Sequence, residues 1–159
     1  MKIAKLTGRD NYFEAFRPGQ VIRHARGKTI EPLENVLISN LVLNSAATHF
    51  DEHAMQGTQF GQRAVFGGVT AALVIGLASQ DTAENALAEI GMTAMRLKSP
   101  VFHGDTLYAY TEVLSLADAD RPDAGIAVFR HWGVNQKDAV VFECERTVLL
   151  KRASHWGDR

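Results

Sequence analysis

The sequence predicts an α+β domain in which a curved antiparallel sheet wraps around one central buried helix. Three observations carry this. Val69 to Ala78 is apolar almost all round, so it needs cover on most faces. Four segments rich in strand-forming residues follow it. A strand and a helix precede it, which completes an α+β order of elements. At 159 residues the chain has the size of one domain. It is read as a single unit, with an arm over 1–20 and a polar tail over 151–159.

Tyr12, Phe13 and Phe16 give the arm a side that can pack on the body, and Arg17-Pro18-Gly19-Gln20 reads as a turn. Val21 to Ile30 alternates loosely and fits a strand. Pro32 and the acids of Glu31-Pro32-Leu33-Glu34 suit a helix first turn. Val36, Leu37, Leu41 and Val42 continue that helix to about Asn44. Ala47 to Phe60 reads as a loop with a turn of helix near Asp51 to Met55. Gly67-Gly68 opens the central helix, whose small residues (Ala71, Ala72, Gly76, Ala78) let a sheet approach closely. Strands are expected at Thr93–Lys98, Thr106–Leu116, Gly125–Val134 and Ala139–Leu150. Turns fall at Arg121-Pro122-Asp123 and Asn135-Gln136-Lys137-Asp138.

A formal net charge of −1 with 22% charged residues offers no field for nucleic acid or a membrane surface. The single cysteine, Cys144, excludes an internal disulfide framework and a cysteine-rich zinc site. The run Phe66–Ala78 is shorter than the roughly 20 residues that span a bilayer. The first ten residues contain no apolar core of signal-peptide length. A soluble cytoplasmic protein is the expectation.

Two stretches concentrate polar groups beside this apolar body, Leu43–Ala54 and Phe60–Thr70. Their residues resemble the MaoC-like hydratases of the hot-dog fold, relatives of the R-specific enoyl-CoA hydratases. His49-Phe50-Asp51 falls on the family's His-x-Asp pair. Phe60-Gly61 to Gly68 matches its Phe-Gly segment leading to the helix glycine, and Pro100-Val101-Phe102-His103-Gly104-Asp105 matches its Pro-Val-x-x-Gly-Asp strand entry. The match covers about residues 15 to 150. Two positions depart from the pattern. Asn44 stands where the family has a catalytic aspartate, and Gly67 stands where a histidine usually precedes the helix glycine.

The resemblance implies a hydratase or dehydratase acting on the double bond of an enoyl-CoA thioester. It needs no metal or redox cofactor, coenzyme A being part of the substrate. The family pairs hot-dog domains, which implies a homodimer or a multiple of it. The Asn44 variant, with the Phe102–Asp105 and His131–Asn135 segments, points towards relatives acting on itaconyl-, mesaconyl- or methylmalyl-CoA. Such chemistry needs an acid/base group and donors for the thioester oxygen. His49 suits the first. The N–H groups at Gly67, Gly68 or Val69 suit the second, being unpaired at the positive end of a helix. By the resemblance Asn44 faces His49 across the water. An amide orients water without taking its proton, so His49 acts alone or a nearby acid, Asp51 or Glu52, joins it. Arg63 is a candidate for an additional substrate carboxylate.

Blander readings stand beside these. Gly67-Gly68 can serve helix–sheet packing alone, and His103 can be structural. His53, one turn beyond His49, lacks a third ligand of metal-binding spacing. Arg63, Arg96 and Lys98 are surface charges if they meet no coenzyme A phosphate. Two other functions suit the same fold: an acyl-CoA thioesterase, and an acyl-CoA-binding protein without catalysis.

Overall fold

The computed structural model describes the backbone of residues 2–3 and all of residues 11–157. Positions 1 and 4–10 of the arm and 158–159 of the tail lie outside the described residues.

The expected architecture is present. Five strands run antiparallel with their neighbours: β2 (Val21–Thr29), β3 (Ala86–Leu97), β4 (Thr106–Asp118), β5 (Ala124–Val134) and β6 (Val140–Lys151). With β1 (Lys2–Ile3), which lies parallel to β2, they form one sheet in the order β1-β2-β4-β5-β6-β3. The helix α4 (Gly67–Thr82) packs on β4, β2, β5 and β6. Close approach is possible because β5 has Gly133 beneath it. A Cβ there would overlap the side chain of Val74, which is fully buried.

One core cluster (Ile30, Val69, Val74, Leu107, Phe142 and neighbours) fills the space under α4. A second gathers Phe16 of the arm with Ile22, Val113, Phe129, Val148 and Leu150. There the Phe16 ring meets Phe129 edge-on at 5.1 Å.

Three elements differ from the sequence expectation. β3 starts at Ala86 rather than Thr93, because register shifts break its alternation at three places. α1 (Pro32–Leu41) ends three residues early and buries Asn35 and Ser39, while Leu33, Leu37, Leu41 and Val42 face outward. α4 is not covered all round, since Ala72 and Gly76 are exposed on one flank. A cavity of about 560 Å3 opens between that flank and the bulge of β2; Arg26, Lys28, Gly76 and Asp81 line it.

A chain of buried polar side chains joins four elements at the C-terminal end of α4. His24 Nδ1 donates to Asp81 at 2.7 Å, and the other ring nitrogen meets Thr111 Oγ1 at 2.7 Å. Thr111 in turn meets His131 Nδ1 at 2.7 Å, and His131 Nε2 has no partner. Burial drives the His131 imidazole down to about 3, with Arg146 adding to the effect.

Candidate active site

The candidate residues lie on three segments and on the first turn of α4. The first is the exit from α1. Its last turn closes with Asn44 N–H donating to Ser39 O at 2.9 Å and Leu43 N–H to Asn40 O at 3.1 Å. This double closure needs a left-handed residue at its centre. Leu43 occupies that position at φ 58°, with its side chain 89% exposed. Asn44 follows, and its Oδ1 accepts the Ala46 N–H at 3.2 Å.

The second segment is α2 (Ala47–Phe50), a turn of helix where a loop was expected, followed by α3 (Glu52–Gln56). His49 lies in α2. Its Nδ1 is 2.9 Å from the Ala64 carbonyl oxygen, and its ring centroid is 5.5 Å from that of Phe66. A carbonyl only accepts, so Nδ1 carries the proton and Nε2 presents a lone pair. Asp51 is committed elsewhere, as its Oδ1 caps α3 by accepting the Ala54 N–H at 2.9 Å. Glu52 pairs with Arg63 at 2.8 Å, which holds the Glu52 carboxyl below the usual carboxylate range.

The third segment is the turn at Phe102–Asp105. Gly104 adopts φ 88°, which favours glycine, and Asp105 Oδ2 accepts the Phe102 N–H at 2.9 Å. This turn presents His103. Ala64 bridges to Phe102, and Val65 N–H donates to Val101 O at 2.8 Å, so the His49 acceptor and the His103 turn are stitched together.

At the start of α4, Val69 N–H donates to Phe66 O at 2.9 Å, which removes it as an oxyanion donor. The N–H groups of Gly67 and Gly68 meet no partner among the described residues. Both glycines also have a packing reason. A Cβ at Gly67 would overlap Leu97 of β3, and one at Gly68 would overlap the Phe66 ring. Packing and exposed donors therefore coexist at one dipeptide.

Sequence reasoning passed over Asn35. It is fully buried; its Oδ1 accepts the Phe66 N–H at 2.9 Å, and its Nδ2 lies 3.1 Å from His103 Nε2. The only signal was a polar residue beside the apolar positions of α1. Burial, then the nearby Arg63 guanidinium, hold His103 below the ordinary imidazole range. Burial of Cys144 pushes its thiol up to about 11, which leaves it inert as a nucleophile.

The family model for mesaconyl-CoA hydratase matches residues 4–152. The chain belongs to that family. Its affinity with the MaoC-like dehydratases is visible in sequence and in fold. It is 31% identical over 162 residues to the β-methylmalyl-CoA dehydratase of Chloroflexus aurantiacus, covering 91% of this chain and 46% of that protein. It is 30% identical over 155 residues to the mesaconyl-CoA hydratase of Cereibacter sphaeroides, covering 92% and 43%. The chain thus spans less than half the length of these curated relatives. Among solved structures, a MaoC-like dehydratase from Rhodospirillum rubrum superposes with a TM-score of 0.77 at 24% identity, covering 89% of this chain and 97% of that one. A Mycobacterium tuberculosis protein with a double hot-dog fold gives 0.82 at 23% identity, covering 91% and 45%. These two likenesses establish the hot-dog fold.

Proposed function

We propose that the chain is one hot-dog unit of a hydratase that adds water to, or removes it from, a short branched or dicarboxylic enoyl-CoA. The observation that carries this is the His49 Nδ1–Ala64 bond, which in the neutral ring leaves Nε2 as an acceptor, on a ring that packs against Phe66, the residue before the Gly67 and Gly68 N–H groups that meet no partner among the described residues. The names of the relatives support the substrate class.

In the hydration direction His49 Nε2 takes a proton from water as its oxygen bonds to the β-carbon. The double-bond electrons move towards the thioester oxygen, where the glycine N–H groups receive the charge. Protonated His49 then returns the proton to the α-carbon, so a single group balances the reaction. Asn44 orients the water through Nδ2, its Oδ1 being held by Ala46. The addition is redox-neutral and needs no cofactor beyond the coenzyme A of the substrate. The acyl group runs along α4 towards the cavity that begins near Ala72, about 6 Å beyond Gly68 at the helical rise. Arg26 lines that cavity without an ion-pair partner among the described residues, so it suits a distal carboxylate better than Arg63, which Glu52 holds.

Two units pair into a homodimer in the cytoplasm. The half-length match to the relatives supports this, as do the exposed Ile90, Met95 and Leu97 of the β3 edge and the outward Leu33, Leu37 and Leu41 of α1. The test is turnover of crotonyl-, mesaconyl- and itaconyl-CoA, following double-bond loss and free thiol together, in native protein and His49→Ala. Double-bond loss without thiol, reduced at least about 10²-fold in His49→Ala, is expected. Thiol release would make the protein a thioesterase, and undiminished turnover in the variant would remove His49 from the mechanism.

A further inference from the structure

We infer that His103 is a second catalytic residue of this site, donating a hydrogen bond from Nδ1 to the thioester oxygen as charge develops there. The inference rests on the hydratase reading above.

Three groups fix where the His103 proton lies. The Phe66 N–H can only donate, so the amide atom that it meets at 2.9 Å is the oxygen of Asn35. The other end of that amide is therefore NH2, and it donates to His103 Nε2 at 3.1 Å. Nε2 must accept, so the single proton of the neutral ring sits on Nδ1, which has no partner among the described residues. Asn35 is fully buried between α1 and the start of α4, and reversing its amide would set two donors against each other at Phe66.

His49 and His103 consequently differ in what they offer a substrate. The proton on Nδ1 of His49 is taken by Ala64, which leaves an acceptor. That of His103 is free, which leaves a donor. Both rings hang from segments joined by the Ala64–Phe102 bridge. Both are tied to Phe66, the residue before the dipeptide whose N–H groups are unpaired among the described residues: His49 by a ring contact at 5.5 Å, and His103 through Asn35. A neutral imidazole beside a helix N-terminus is a suitable donor to a developing oxyanion. The burial of His103 and its neighbours Arg63 and His49 keep the ring uncharged, against the opposing pull of Glu52.

A purely structural histidine would prop Asn35 and the start of α4 and do nothing else. Three measurements separate the two roles. Long-range 15N–1H NMR on the substrate-free native protein should show His103 neutral with its proton on Nδ1. His103→Ala should lower kcat by about 10²-fold or more with KM nearly unchanged, while the unfolding temperature falls by several degrees, because the buried Asn35 amide loses its acceptor. His103→Asn, whose amide N–H can stand in for Nδ1–H, should recover most of that loss. A proton on Nε2 would overturn the inference. So would a His103→Ala kcat within about threefold of native, or a rise in KM alone. Native protein without turnover on any enoyl-CoA would instead refute the hydratase reading and this inference with it. The spectrum, recorded without substrate, distinguishes that failure from a wrongly placed proton.

Discussion

Acid should reach the stability of this protein through His131. The ring is fully buried between α4 and the sheet, bonded to Thr111 on one nitrogen and to nothing on the other. Folded, it stays neutral down to about 3, whereas its ordinary value is 6.5. Between those values the unfolded chain binds one proton more than the folded one, so stability falls as pH falls. The contribution is complete above about pH 6.5 and is lost progressively towards pH 3. Each unit in that window is worth about 1.4 kcal/mol, so about 3 kcal/mol should disappear between pH 7 and 4.5. That is a large part of the 5–15 kcal/mol typical of a domain. His131→Asn, whose amide takes the place of Nδ1, keeps a hydrogen-bonding partner for Thr111 and does not titrate. Urea unfolding of both proteins, followed by circular dichroism at several pH values, checks the reasoning. The variant should start less stable at pH 7, by about 1–2 kcal/mol, and lose stability with acid less steeply by close to one proton. Parallel pH profiles would refute it, since carboxylates titrate in both proteins and cancel in the comparison.

Leu43→Gly should stabilise the fold by about 1 kcal/mol, because glycine takes the left-handed conformation without strain and Leu43 is exposed; thermal unfolding measures this. Met95→Arg on the edge of β3 should convert the proposed dimer to monomer in analytical ultracentrifugation. An unchanged sedimentation coefficient would place the interface elsewhere.

The sheet and central helix were readable because Val69–Ala78 and the strands after Thr106 have strong, uninterrupted patterns. The orientation of α1 was not legible. Its apolar residues recur at helical spacing, and that spacing does not say which face turns inward. The buried side carries Asn35 and Ser39, because the start of α4 needs a partner for the Phe66 N–H more than it needs a leucine. His49 and the glycines were legible through motifs. Asp51 looked equally catalytic, since a cap and a base share a residue type. The chain of His24, Asp81, Thr111 and His131 was illegible, because its members lie on four elements and only the register of β2, β4 and β5 brings them together.

The position of β3 has a consequence for how the molecule reaches its native state. This strand follows α4 directly, yet it pairs with β6, so that Ala86 waits for Leu150 and Leu97 for Phe142. During synthesis β2, α1, α4 and β3 all emerge before the strand that holds β3 in the sheet. Until β6 arrives, β3 presents Ile90, Met95 and Leu97 on an unpaired backbone, and Gly67 lacks the Leu97 neighbour that closes over it. Pairings this distant in sequence make folding slow and expose aggregation-prone edges. The start of α4, where the proposed chemistry lies, should therefore be among the last parts of the chain to become ordered, and a block in β5–β6 closure should abolish the proposed activity before it abolishes helix.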